Sequence, residues 1–165
     1  MPTPAFVASL RSHIGHEMLW LSTATALVFD ADDRVLLGRR SDTGTWGPPG
    51  GIIDPAEQPA DAAVRETFEE TGVIAVPERL VAVTVSPPIR YQNGDQVQYL
   101  EIAFRCRASG GLARVNDSES LEVGWYPLTG LPSLSGRWLT LLAQATSGPA
   151  EAAFVFSGIG EVLGR

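Results

Sequence analysis

The stretch from Gly50 to Gly72 constrains this chain more than any other. Pro59 to Thr71 reads as a helix, with a proline in the first turn and Gly72 just past the end, the usual asymmetry of helix starts and stops. At roughly 100° per residue, Ala60, Val64, Thr67, Phe68 and Thr71 gather on one side and Glu66, Glu69 and Glu70 on the other. Residues three and four apart are neighbours on a helix surface, so Glu66 faces both Glu69 and Glu70, and like charges so placed repel. From Glu57 to Glu70 there are five carboxylates, Glu57, Asp61, Glu66, Glu69 and Glu70, against one cation, Arg65. Arg65 neutralises one partner, as a bidentate pair; the others must be solvated, protonated or bound to metal. A solvated face is what most acidic runs are. Here, however, Gly50 and Gly51 stand just before the helix, where they allow close backbone approach and can aim a carbonyl at an ion. Oxygen-only ligation of this kind suits Mg²⁺ or Mn²⁺ rather than zinc.

The rest of the composition narrows the setting. A length of 165 residues fits one domain with a sizeable core. With 44% hydrophobic and 19% charged residues, disorder, collagen-like repeats and coiled coil are excluded. The net charge of −7 repels nucleic-acid backbones and anionic membranes, so a polyphosphate ligand requires a cation. All 12 basic residues are arginine, which excludes lysine Schiff-base chemistry and a phosphate-loop lysine. Cys106 stands alone, leaving no intramolecular disulfide or cysteine zinc cluster, and a reducing compartment fits. The longest uncharged runs, Met18 to Phe29 and Trp138 to Ala150, fall well short of the roughly 20 residues that span a bilayer. The expectation is a cytoplasmic protein without signal peptide or membrane span.

Ala5 to Ile14 reads as a short helix stopped by Gly15, and residues 1–20 as an N-terminal accessory. Thr23 to Phe29 and Arg34 to Arg40 flank an acidic turn and predict a hairpin. Ser41 to Gly51, with four glycines and two prolines, is loop or irregular edge. After the acidic helix, Ile74 to Val85, Val97 to Cys106 and Leu121 to Tyr126 read as strands, and Leu131 to Ala145 as a helix. Residues 21–147 form the main domain, and 148–165 a tail of ambiguous structure. Hairpin signals around a central helix imply an α/β or α+β class, a mixed sheet covered by helices.

Gly51, Glu57 and the run Arg65-Glu66-Thr67-Phe68-Glu69-Glu70-Thr71-Gly72-Val73 resemble the signature of the Nudix hydrolases, G-x5-E-x7-R-E-U-x-E-E-x-G-U, where U is apolar. All seven fixed residues match. At average residue usage, such a match by chance is on the order of one in a million for a chain of this length. The single departure is Thr67 at an apolar position, where its methyl can still pack. The resemblance implies a Nudix-type α/β/α sandwich and a hydrolase that cleaves a nucleoside diphosphate linked to another group with Mg²⁺ or Mn²⁺ as cofactor. It makes Glu66, Glu69, Glu70 and the Gly50 carbonyl the metal ligands, and Glu57 and Arg65 orienting residues. The physics agrees, since a cation neutralises phosphate charge and acidifies bound water.

Outside that segment, Arg40 resembles a position that contacts substrate phosphate in relatives; the alternative is a surface arginine or a salt bridge to the acidic helix. Glu119, in an acidic loop, resembles a general base or a further metal-associated carboxylate, with Glu122 as rival. Among the aromatic residues, Tyr91 beside a turn is the candidate for nucleobase stacking, whereas Trp46 and Trp125 read as core. His13 and His16 read as surface, and Cys106 as a buried strand residue. Pro88 resembles a mark of ADP-ribose-cleaving relatives and Tyr91 one of dinucleoside-polyphosphate relatives. An ADP-ribose or nucleotide-sugar-like substrate is favoured; nucleoside triphosphates or dinucleoside polyphosphates are the alternative. A non-catalytic nucleotide-binding regulator stays open, although such proteins typically lose the carboxylates that this chain keeps. The expected partner is a small nucleotide, not long nucleic acid or a membrane, with a homodimer left open.

Overall fold

A computed structural model describes residues 3–162; the extreme ends of the expected N-terminal accessory and C-terminal tail lie outside the described residues. A helix, α1 (Ala5–Ile14), leads into the long strand β1 (Leu19–Phe29), followed by β2 (Val35–Arg40) and the short strands β3 (Trp46–Gly47) and β4 (Gly50–Ile52). The acidic helix α2 (Pro59–Thr71) comes next, then β5 (Val73–Val85), β6 (Ile89–Arg90), β7 (Gln96–Gly111) and β8 (Ser120–Tyr126). The chain continues through α3 (Gly136–Thr146), β9 (Ala153–Phe154) and the single turn α4 (Ile159–Val162). The spine of the sheet runs β3-β2-β1-β7-β5-β9, with β4 on β1, β6 on β7 and β8 on β2. It is mixed: β1 lies parallel to β7, and β5 antiparallel to it.

Strand β1 shows why the sheet is covered on both sides. Ala24, Ala26 and Val28 join Ala62 and Ala63 of α2 in one core, while Leu27 and Phe29 join Leu141, Leu142 and Ala145 of α3 in another. Alternate residues of a strand point to opposite faces, so this division follows from a period of two. A strand buried on both faces is apolar throughout, as the run from Ala24 to Phe29 is, Thr25 apart. The α/β sandwich is thus as expected.

Details differ. The hairpin predicted for β1 and β2 is paired only at Phe29 and Val35, because β2 then turns to β8 and β1 to β4 and β7. The third helix begins at Gly136 rather than Leu131, with Ser135 at its N-cap; Pro132 precedes this start, and Leu131 and Leu134 pack on the core from the loop. The tail is tied down in part, since Ala153 and Phe154 pair with Ala82 and Val83. The inner face of α2 is also rotated from the predicted one. Ala62, Ala63, Glu66, Thr67 and Thr71 are buried and Phe68 is exposed, because the small alanines let the helix approach the alanine-rich face of β1.

Candidate active site

Helix α2 ends where the sequence stops it: Gly72 adopts the left-handed conformation, with φ of 71°, and its N–H donates to the Phe68 carbonyl. At the other end, Arg65 reaches back from the helix to Glu57. Its Nε donates to Glu57 Oε1 at 2.7 Å and Nη2 to Oε2 at 2.8 Å, while Nη1 donates to Glu66 Oε1 at 2.7 Å and to Glu69 Oε2 at 3.2 Å. A fifth contact, Nη2 to the Ile52 carbonyl at 3.3 Å, fastens the helix to the end of β4.

Glu66 is buried, contrary to the outward placement given by the helical wheel. Burial pushes its carboxyl above the usual range, Arg65 pulls it down, and Glu69 and Glu119 add repulsion. Glu70 is raised further, to about 8, by burial first and then by the charge of Glu66; Asp117 and Glu119 also push it up. The Gly50 N–H opposes this by donating to the Glu70 carboxylate. Gly50 can sit there only without a side chain: a Cβ would fall 2.4 Å from the Ala24 carbonyl oxygen and 2.9 Å from Thr25 Cα. The glycine expected to aim a carbonyl therefore touches the acidic helix through its N–H.

The loop before β8 is stitched to the C-terminal end of α2. Asn116 Nδ2 donates to the Phe68 carbonyl at 2.9 Å, the Asn116 N–H to the Glu70 carbonyl at 3.2 Å, and the Arg114 N–H to the Thr71 carbonyl at 3.0 Å. Asp117 accepts from the Glu119 N–H at 2.9 Å, and the Glu119 carbonyl accepts from the Ser41 N–H at 2.7 Å. Glu119 is thereby held where its charge acts on Glu66, Glu70 and Arg40. The rival Glu122 instead faces along β8, where Tyr126 Oη donates to it at 3.3 Å. A hollow of about 390 Å³ is lined by Phe68, Glu69 and residues 116–119.

A larger cleft of about 580 Å³ opens on the other side of β4. Its floor comprises alternate residues of β1 (Leu21, Thr23, Thr25) and of β7 (Val97, Tyr99, Glu101), and its rim includes Arg40, Gly50, Tyr91 and Trp138. Arg40 forks onto Asp42, at 2.9 and 2.6 Å, and holds that carboxyl at about 2. Its salt bridge is thus to its own loop rather than to the acidic helix. Tyr91 and Tyr99 share a hydroxyl hydrogen bond of 3.0 Å at the rim. Trp46 packs edge-on to Tyr126, Trp125 packs against the α2-side core and Cys106 is buried, as expected. His16 is exposed but is held by Asp95 at 2.8 Å.

Among the described residues, no three of His, Cys, Asp and Glu converge as a preformed ion cage. Arg65 draws Glu66 and Glu69 to one side, and Glu70 turns to Gly50. The donor set nonetheless fits a hard divalent cation. It is all oxygen, and the carboxyls of Glu66 and Glu70 are raised first by burial and then by neighbouring carboxylates, a surplus of negative charge that a cation relieves.

The model of the NUDIX domain matches residues 20–144. The chain belongs to the Nudix family. Its Nudix domain thus begins within β1 and ends within α3. A MutT-like protein of Streptomyces ambofaciens is 36% identical over 103 residues, 62% of this chain and 61% of the relative. An 8-oxo-dGDP phosphatase of Mus musculus is 31% identical over 136 residues, 79% of this chain but 38% of that protein. The chain thus spans less than two thirds of the length of either relative. The crystal structure of an ADP-ribose pyrophosphatase from Streptococcus suis superposes with a TM-score of 0.61 at 27% identity, covering 80% of this chain and 96% of that one.

Sequence reasoning missed four residues around this Nudix site: Asn116, Asp117, Glu101 and Arg137. Asp117 lay in the acidic loop already singled out. Glu101 carried a detectable signal, a charge in phase with Val97 and Tyr99 on a strand face that otherwise turns inward. Arg137 had none, because its partner is 36 positions away in sequence and meets it only through the fold.

Proposed function

We propose that this chain is a divalent-metal-dependent hydrolase of the diphosphate bond in a nucleoside diphosphate linked to a second, sugar-like group. The observation that carries the reading is the buried Glu66 and half-buried Glu70, both raised by burial, beside Arg65 and next to a nucleotide-sized cleft. Glu66, Glu69 and Glu70, with the Gly50 backbone, would hold Mg²⁺ or Mn²⁺. When bound, the ion neutralises phosphate charge and acidifies water. Glu57 and Arg65 orient the helix that presents these ligands. Glu119 accepts the proton of the attacking water or holds part of the metal shell. Arg40, released from Asp42, offers a fork for a phosphate, and Tyr91 a face for the base.

The names of the relatives support a nucleotide anhydride as substrate: one is an 8-oxo-dGDP phosphatase and one an ADP-ribose pyrophosphatase. Residues 21–147 constitute the hydrolase domain in this reading, with α1 and the tail as accessories. The test is phosphate release across nucleotide sugars, ADP-ribose, dinucleoside polyphosphates and triphosphates with Mg²⁺ and Mn²⁺. Turnover of the first two groups is expected. Binding without turnover of any of them would leave a non-catalytic nucleotide receptor.

A further inference from the structure

The cleft floor holds one carboxylate that the proposed chemistry does not use. Glu101 projects from β7 in phase with Val97 and Tyr99, directly beside Thr23 of β1, and its side chain is only 11% exposed. Arg137, from the first turn of α3, meets Glu101 Oε1 at 2.7 Å, and its guanidinium lies 4.2 Å over the Trp138 ring. Burial pushes the Glu101 carboxyl up, while Arg137 and a hydrogen bond from the Thr84 side chain pull it down; Glu101 is thus the desolvated member, and Arg137, with 44% of its side chain exposed, covers it from the solvent side. A buried carboxylate is costly to keep charged, and a half-exposed arginine offsets only part of that cost, which leaves the position of Glu101 in a ligand cleft to be explained. Gly50 and Arg40, at the phosphate end of the same cleft, set the direction in which a nucleotide would lie.

We propose that Glu101 and Arg137 read the edge of a guanine-type base in this cleft. The inference rests on the nucleotide reading of the site and ranks guanine-bearing nucleotides first within it, so that ADP-ribose, though turned over, is the weaker ligand. An ionised carboxylate only accepts hydrogen bonds and a guanidinium only donates them. Guanine presents two adjacent donors, N1–H and the 2-amino group, next to the O6 acceptor, and so complements a carboxylate flanked by a guanidinium. Adenine sets an acceptor beside its single donor group. Uracil flanks one N–H with two carbonyls. Each of these sets at least one acceptor against the carboxylate, which costs a buried, unpaired polar contact. Trp138, Tyr91 and Tyr99 supply apolar walls that suit any base and therefore do not choose.

Calorimetric titration of the metal-loaded protein with GDP, dGDP, IDP, ADP and UDP tests this without requiring turnover. The expected result is GDP and dGDP bound alike, and about tenfold or more tighter than ADP or UDP. IDP, which lacks the 2-amino donor, should fall between them. In Glu101→Gln the GDP-to-ADP ratio should collapse toward one, since the amide replaces one acceptor by a donor. Weak dGDP binding beside strong GDP binding would assign Glu101 to the ribose diol and overturn the base reading. An unchanged ratio in Glu101→Gln, or equal loss for all bases there and in Arg137→Met, would make the pair structural and overturn it as well. Absence of phosphate release with intact nucleotide selectivity would instead count against the hydrolase reading alone.

Discussion

Arg65 grips Glu57 at two points and Glu66 at a third, so one guanidinium ties the loop before α2 to the helix and to a buried carboxylate. Nothing else among the described residues offers Glu66 an ion pair. Arg65→Ala should lower stability by about 1.5–3 kcal/mol, the range for hydrogen bonds to charged groups, as read from denaturant midpoints. Activity should fall with it. Arg65→Lys should recover little, because an ammonium cannot make the two parallel contacts; full recovery would show that charge alone matters.

The same grip sets an acid limit. The Arg65 hydrogen bonds hold the Glu57 carboxyl below its ordinary value of 4.5, against partial burial. A carboxyl lowered in the folded state stabilises the fold above its unfolded value, and that stability is lost as pH falls through the folded one. Melting temperature should therefore drop on acidification below about 4.5 more steeply in the wild type than in Glu57→Gln, which has no such proton to take up. Parallel curves would exclude the linkage.

Glu70 runs the opposite way. Raised to about 8, its neutral form is the one the metal-free fold favours. Its contribution is fully present below its ordinary value of 4.5 and is lost as pH rises through about 8. A cation needs the carboxylate, so binding below pH 8 must expel a proton, and affinity should rise with pH toward that value. Titration of Mn²⁺ in buffers of different ionisation enthalpy reads the released proton directly. Glu70→Gln should release none. Hydrolysis should stop in EDTA and return with Mg²⁺, and both Glu66→Gln and Glu70→Gln should reduce it by about 100-fold or more. For Glu66→Gln, buried beside Arg65, a stability loss should accompany the kinetic one.

The fold was legible where one pattern answered one physical demand. Proline and glycine bounded α2 to the residue, and Gly15 ended α1, because those residues act locally. The orientation of α2 was not legible, since the wheel weighs hydrophobicity alone. Small residues decided it: Ala62 and Ala63 let the backbone approach the sheet, and carried Glu66 inward with them. The family signature named the carboxylates and the arginine, but not that Glu57, Glu66 and Glu69 would share Arg65. Glu101 and Arg137 illustrate the remainder, a pair made by docking α3 across the sheet: the strand phase marks Glu101, but no local pattern names Arg137 as its partner.

Glu119 and Glu122 stand three residues apart, yet the fold separates their roles. The Glu119 backbone is anchored by Asp117 and Ser41, and its charge reaches Glu66, Glu70 and Arg40; Glu122 lies on β8 with Tyr126. If Glu119 activates the attacking water, Glu119→Gln should lower kcat by about 100-fold or more with little change in KM, because the lost interaction belongs to the transition state. Glu122→Gln should stay within about threefold of wild type, as expected of an exposed group outside the site. The acidic limb of the pH–rate profile at saturating Mg²⁺ should vanish in Glu119→Gln alone. Equal, modest effects of both changes would make the loop a solvated lid and pass the role to Glu69 or Glu66. Arg40 offers an independent check, since Glu119 and Glu70 both act on it: Arg40→Ala should raise KM while leaving the acidic limb in place, which separates phosphate binding from proton transfer at neighbouring side chains.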